Sequence, residues 1–281
     1  MSKLFADWKR GARDRLLWVD FERYAARVFA SGAPDWYRNP VRQAATLGQA
    51  WRVIPSDVIT VDVTAPFLDR IDNSASAGNS PVSMVIDLLA DAAPLRFVDE
   101  VADALGHSLG DKVELAVKLN SPRDLLLAAG ADADLAGDFG VLDDVATALV
   151  GVIRKLSEKP FGILQITSRH DAPLSADEYD ACEPIFRAAE YYGWGTCLAY
   201  SGANTGEALD GINLTLFPEC STTELVDAPA RSVGGGLTTD FWLSDQPLES
   251  PLSVLYGVIP EGAAPENVIA KMRAIATFNA G

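Results

Sequence analysis

The sequence has few of the residues that most often bind metals or form disulfides. Its 281 residues include only two histidines, His107 and His170, and three cysteines, Cys182, Cys197 and Cys220. None of them lies at the spacing of a zinc or redox motif, so we expect no metal site. A sparse and odd number of cysteines, without an apolar leader segment, is typical of a reducing compartment, and we expect a cytoplasmic protein.

Positive charge is also scarce. Lys and Arg number 23 against 39 Asp and Glu, which gives a formal net charge of −16. Nucleic-acid binding requires clustered basic residues that neutralise phosphates, and here they are scattered, except for a short group between residues 9 and 15. No apolar run approaches the roughly 20 residues that span a bilayer. We therefore expect neither a nucleic-acid partner nor a membrane partner.

Short apolar runs alternate with amphipathic patterns along the chain. The runs are typical of strands that are covered on both faces, and they occupy residues 58–63, 113–119, 161–167, 197–201, 212–217, 232–236 and 254–259. Helical patterns lie between them, at 40–52, 94–105, 122–129, 142–155, 175–192 and 264–278. Ser175 and Glu178 have the spacing of a capping box. The alternation of strand and helix predicts a parallel sheet, either a closed barrel or a doubly wound sheet.

Five segments carry motifs in a defined order. The first is a strand with a Ser-Asp pair at Pro55–Asp62, and the second is a Pro-containing turn into a helix at Asn120–Leu127. A long helix that leads into a strand follows at Tyr179–Gly202, and a glycine-rich turn at Val233–Thr239. The last is a strand followed by a Pro-Glu helix start, at Gly257–Val268. In this order they resemble the uroporphyrinogen decarboxylase superfamily, which also contains cobalamin-dependent methyltransferases and the catalytic domain of cobalamin-independent methionine synthase. The resemblance implies a single (β/α)8 TIM-type barrel over residues 36–281. Residues 1–35 would form a helical and first-strand segment packed on the barrel.

Several family motifs are incomplete in this sequence. Porphyrinogen decarboxylases grip substrate carboxylates with an arginine-rich N-terminal motif, which the segment Arg10–Arg13 lacks. Ala128 stands where these enzymes place a Tyr, and Tyr256 stands where they place a His. Uroporphyrinogen is therefore not the expected substrate. The zinc-binding H-x-C motif of the methyltransferases corresponds to Ala199–Ser201, which contains neither ligand.

Active sites of such barrels lie at the C-terminal ends of the strands, and this rule selects candidate residues. Asp57 matches the family aspartate that holds pyrrole N–H groups, and Asp62 is the alternative if the register differs. His170 follows the strand at 161–167 and suits proton transfer near neutral pH, whereas an exposed loop is the alternative for it. The neighbouring Arg169 could clamp a substrate carboxylate.

Further candidates end other predicted strands. Tyr200 and Tyr256 could orient a substrate or donate a proton, or they could pack at the barrel rim. Asn120 ends the strand at 113–119 and is a candidate substrate ligand. Gly235 lies in a run of three glycines whose N–H groups could bind an anion, although a tight turn would use the same residues.

The leading hypothesis is a uroporphyrinogen decarboxylase-like enzyme that acts on a carboxylated or aromatic small molecule. The expected chemistry is cofactor-independent decarboxylation or a related lyase step, with Asp57, His170 and Tyr256 as catalytic residues. One alternative is methyl transfer from a corrinoid or folate donor without the family zinc. Another is a binding or scaffold barrel that has lost its chemistry. The resemblance also implies a possible homodimer.

Overall fold

Eight parallel strands form one sheet in the computed structural model, which describes residues 3–33, 35–74, 80–169, 174–200, 211–225, 231–248 and 252–279. The strands are β1 (Leu16–Asp20), β2 (Val58–Asp62), β3 (Glu114–Asn120), β4 (Phe161–Ser168), β5 (Gly195–Tyr200), β6 (Leu214–Phe217), β7 (Val233–Gly236) and β8 (Val254–Val258). They pair in the order β1-β8-β7-β6-β5-β4-β3-β2. The predicted (β/α)8 barrel is confirmed, and so are all seven strands that the apolar runs predicted.

The first strand, which the sequence patterns left obscure, lies within residues 1–35 and pairs with β8. Its contact with β2 completes the barrel through backbone and side-chain bonds. The Asp57 N–H donates to Leu17 O at 2.8 Å, and the Leu17 N–H donates to Oδ2 of Asp57 at 2.8 Å. Ser56 Oγ accepts from the Val19 N–H at 3.0 Å. The Ser-Asp pair therefore joins the two strands at the seam.

The helices surround the barrel and join successive strands. They are α1 (Leu4–Lys9), α2 (Glu22–Val28), α3 (Pro40–Trp51), α4 (Ala65–Ser74), α5 (Pro81–Ala90), α6 (Ala92–Leu109), α7 (Pro122–Ala128), α8 (Ala133–Gly137), α9 (Phe139–Leu156), α10 (Ala176–Tyr191), α11 (Thr239–Leu243) and α12 (Pro265–Asn279), with a short 3₁₀ turn at Gly110–Lys112. The capping box of Ser175 and Glu178 is formed at the start of α10. None of the helices in the described part of the chain is long and apolar enough to cross a membrane.

Two apolar clusters make up the core. One lies inside the barrel, and α1 closes its N-terminal end with Phe5 and Trp8. The other lies between the strands and the helices. Because side chains alternate along a strand, every strand except the glycine-rich β7 contributes to both clusters. All three cysteines are buried and free, which suits a role in packing.

Candidate functional site

The interior of the barrel changes from apolar to polar towards the C-terminal ends of the strands. Trp18 belongs to the apolar interior, and the next inward-facing residue of β1 is Asp20. The same step in β3 leads from Ala116 to Lys118, and in β4 from Ile163 to Gln165. Charged and amide side chains are therefore buried together at the end of the barrel where such folds carry their active sites.

Lys118 lies at the centre of this polar region. Its Nζ is 3.2 Å from Oδ2 of Asp20 and 3.5 Å from Oδ2 of Asp62. Burial disfavours an ammonium ion, but the surrounding carboxyl groups outweigh burial and raise the pKa of Lys118 above its ordinary value. The Lys118 side chain is 16% exposed against 5% for Asp20, so the lysine is the more accessible partner of the pair.

Glu22, at the start of α2, is a third carboxyl group beside this ion pair. Its Oε1 accepts from Gln43 Nε2 at 3.0 Å and from Trp36 Nε1 at 3.3 Å, and its Oε2 accepts from the Asp62 N–H at 3.3 Å. Burial, reinforced by the charges of Asp62 and Asp20, raises the pKa of Glu22 to about 8. Glu22 therefore carries a proton at neutral pH, beside a charged lysine.

An aromatic and amide layer lies beneath the ionic group. Trp18 and Tyr256 meet edge to face with ring centroids 5.8 Å apart, and Trp18 Nε1 donates to Thr60 Oγ1 at 2.9 Å. Gln165 Nε2 donates to the hydroxyl of Tyr256 at 3.4 Å and to Thr167 Oγ1 at 3.2 Å. These bonds fix the orientation of the amide. Burial raises the pKa of Tyr256, so its phenol stays neutral.

Two amide oxygens on the strands of this region have no hydrogen-bond partner within the described residues. They are Oδ1 of Asn120 and Oε1 of Gln165, whose side chains are almost completely buried. A buried acceptor without a donor costs about 1–3 kcal/mol, so such atoms often mark a place where a bound molecule supplies the donor. Both residues lie on strands that border the ionic group, β3 and β4.

A cavity of about 310 Å³ opens above Asp62 at the C-terminal end of the barrel, and we call it the mouth cavity. Arg23, Tyr37, Ala128 and Arg169 also line it. The backbone N–H of Arg169 donates to Oδ2 of Asp124 at 2.8 Å, which fixes the chain at the end of β4. The guanidinium of Arg169 has no carboxylate partner in the part of the chain that the structure describes. The cavity thus combines cationic walls with an acidic floor.

The structure brings several of the predicted site residues to this end of the barrel. Asp62 and Arg169 line the mouth cavity. Asn120 and Tyr256 lie in the buried polar layer next to it. Asn120 and Tyr256 do not line the cavity themselves, and the roles predicted for all four residues stay predictions.

Other predicted residues lie elsewhere. Asp57 precedes β2 at the opposite end of the barrel, where its Oδ1 pairs with Arg13 at 2.8 Å. Tyr200 belongs to the outer cluster, since its ring stacks on Phe217 with centroids 5.7 Å apart. A Cβ on Gly235 would lie 2.8 Å from the carbonyl oxygen of Phe217, so this glycine permits close packing of backbone. All three residues therefore lie away from the mouth cavity. His170 lies outside the described residues.

Sequence reasoning missed Asp20, Glu22, Lys118 and Gln165 as site residues. Asp20 and Glu22 fall in the segment whose strand was not identified. Lys118 and Gln165 are single polar residues in otherwise apolar strands, and their isolation was the signal that could have selected them. Tyr37, also missed, precedes α3 in a segment without a clear pattern.

Comparison with known proteins supports the fold. No protein family and no curated protein matches the chain. A methyltransferase from Methanosarcina mazei superposes with a TM-score of 0.71 at 16% identity, over 99% of this chain and 98% of that chain. The homocysteine methyltransferase MmuM from Escherichia coli gives a TM-score of 0.49 at 9% identity, over 94% of this chain and 97% of that chain. A 2,3-dimethylmalate lyase gives 0.42 at 9% identity, over 100% and 87%. At these identities the likeness concerns the fold alone.

Proposed function

We propose that the protein is a divergent member of the uroporphyrinogen decarboxylase superfamily whose barrel mouth catalyses proton transfer on a carboxylated small molecule, as a decarboxylase or related lyase. The observation that carries the proposal is the buried group of Lys118, Asp20 and Asp62 with the protonated Glu22 beside it. Ionisable groups whose pKa values diverge in a cleft are typical of acid–base sites. A stable barrel has no structural need for charges at this depth, since buried ion pairs contribute little to stability.

The residues around the mouth cavity suit different parts of such a reaction. Arg169 and Arg23 supply guanidinium groups that bind carboxylates in bidentate fashion. Asn120 and Gln165 supply acceptors for an N–H or O–H group of the substrate. The substrate class is therefore an acid that also carries an amino, hydroxyl or pyrrole-type donor.

In a decarboxylation, the bond between the carboxyl carbon and its neighbour breaks and carbon dioxide leaves. The electron pair stays on the remaining carbon, where the charge of Lys118 stabilises it. A proton then forms the new C–H bond, and Glu22 is the carboxyl group of the cluster that holds one at neutral pH. The step needs no oxidant or reductant, and we propose no cofactor for it.

The test is a thermal-shift screen of the purified protein against aromatic and aliphatic acids, porphyrinogens, corrinoids and folates. A ligand at 100 times its Kd stabilises the folded state by about 2.7 kcal/mol. We expect an acid to raise the Tm of the wild type and of Arg187→Ala, but not of Arg169→Ala. Arg187 is the matched control because it pairs with Glu183 on the exposed face of α10.

The hit is then incubated with the enzyme, and the product is analysed by mass spectrometry. Loss of the carboxyl group, absent with Glu22→Gln, is the expected result. If every acid that stabilises the wild type stabilised Arg169→Ala equally, the site would be contradicted. A well-folded protein that binds none of the acids would favour the scaffold alternative.

Methyl transfer is the second candidate, favoured by the superposition of the whole chain on a methyltransferase barrel. No group of three or more His, Cys, Asp or Glu side chains in the described residues is arranged to hold a metal ion. At the end of β5, Ala199 faces the apolar interior where the zinc-dependent enzymes need a ligand. A corrinoid or folate hit in the same screen, with no acid hit, would favour this candidate over the lyase.

A further inference from the structure

A second cavity, of about 590 Å³, lies beside the mouth cavity in the helical layer, and we call it the arginine groove. Arg38, Arg70 and Arg96 line it, and they come from the segment before α3, from α4 and from α6. Three arginines at one cavity are notable in a chain with a net charge of −16. Tyr37 and Phe97 contribute aromatic surface to the same groove.

The arginines differ in how far the protein itself satisfies them. Arg38 pairs with Asp69 at 3.0 Å, and Arg70 pairs with Asp91. Arg96 is exposed on α6 and has no carboxylate partner among the residues that the structure describes. Its guanidinium is therefore available to a ligand. The two paired arginines retain further N–H donors, because a guanidinium has five.

The groove and the mouth cavity adjoin. Tyr37 and Asp69 line both of them. The Tyr37 ring is half-buried, and burial raises the pKa of its hydroxyl, so it is a neutral wall between two cavities that arginines line. A ligand bound in the groove would lie next to the mouth, outside the barrel itself.

We propose that the arginine groove binds an aromatic small molecule that carries a carboxylate or a phosphate. Guanidinium groups form paired hydrogen bonds with both kinds of oxyanion, and the volume suits a small organic ligand. The aromatic part would pack on Tyr37 and Phe97, and the oxyanion would bind Arg96 with help from Arg38 or Arg70. This proposal goes beyond the reaction at the mouth and does not rest on it.

Isothermal titration calorimetry with benzoate and phenyl phosphate tests the proposal, with one arm for each oxyanion. We expect at least one probe to bind, and Arg96→Ala to weaken that binding about tenfold, the effect of one charge-assisted contact. The tighter probe identifies the oxyanion. Arg96→Ala should leave the Tm unchanged because the side chain is exposed and unpaired in the described structure.

Two further variants separate the groove from other sites. Arg187→Ala, on the surface of α10, should bind the probe as the wild type does. Because the mouth cavity is itself proposed to bind acids, Arg96→Ala is also tested in an Arg169→Ala background, where the tenfold loss should persist. Binding that Arg169→Ala weakens and Arg96→Ala does not would place the ligand in the mouth and overturn the proposal. Absence of binding by both probes, or binding that neither variant weakens, would overturn it too.

Discussion

The ammonium of Lys118 lies 3.2 Å from Oδ2 of Asp20, and this pair joins the C-terminal ends of β3 and β1 across the interior of the barrel. Strand β2 lies between them and adds Asp62 to the same ammonium. Three strands thus converge on one positive charge. In this buried position, the carboxylates and the ammonium each need the opposite charge as a counter-ion.

Removal of the ammonium should leave buried carboxylates without a counter-ion. We expect Lys118→Met to lower the free energy of unfolding at pH 7 by about 3–5 kcal/mol, measured by urea denaturation. The matched control is Lys159→Met, since Lys159 pairs with Asp103 at an exposed site and should contribute about 0–1 kcal/mol. If both variants lost the same free energy of unfolding, the Lys118 cluster would be solvated like a surface ion pair.

Glu22 should make stability depend on pH. Its pKa is about 8 in the folded protein against an ordinary 4.5, so the folded state binds the proton more tightly than the unfolded state does. The stabilisation is fully present below pH 4.5 and is lost as the pH rises through about 8. We expect the Tm of the wild type to fall over this window more steeply than that of Glu22→Gln, which has no proton to lose. Parallel Tm curves would show that Glu22 is ionised throughout.

Asp57 precedes β2 and Asp62 ends it, so substitutions at these two positions should have separable effects on stability and on binding. Asp57→Ala removes the acceptor of the Leu17 N–H and the partner of Arg13, so we expect a loss of about 1–3 kcal/mol in stability. The affinity of a mouth ligand found by thermal shift should not change. Asp62→Asn keeps an acceptor for the Ala65 N–H but removes a negative charge from the mouth cavity and one counter-ion of Lys118. It should therefore strengthen the binding of an acid there. The reverse pattern would place the functional site at the N-terminal end of the barrel.

Continuous apolar runs with helices between them predicted seven of the strands and a parallel sheet, whereas the closed barrel was predicted only through the family resemblance. It predicted the site less well for a physical reason. Asp57 and Asp62 are five residues apart, and only the strand boundaries decide which of them lies at the C-terminal end. The charge cluster combines β1, β2 and β3 over a separation of about a hundred residues, which no local pattern encodes. Glu22 becomes unusual only through burial beside Asp62, a property of the folded chain.

Glycine substitutions should distinguish packing from binding at β7. A Cβ on Gly235 would come within 2.8 Å of Phe217 O, and backbone cannot move aside easily, so we expect Gly235→Ala to destabilise the fold by about 1–3 kcal/mol. Gly48 is the control, because a Cβ there meets nothing within 4 Å and the residue lies inside α3. Gly48→Ala should stabilise the protein by about 0.5–1 kcal/mol through lower backbone entropy in the unfolded chain. Urea denaturation measures both. If Gly235→Ala instead kept its stability and lost affinity for an anionic ligand, the glycine run would be a binding nest, because only a ligand contact would then explain the loss.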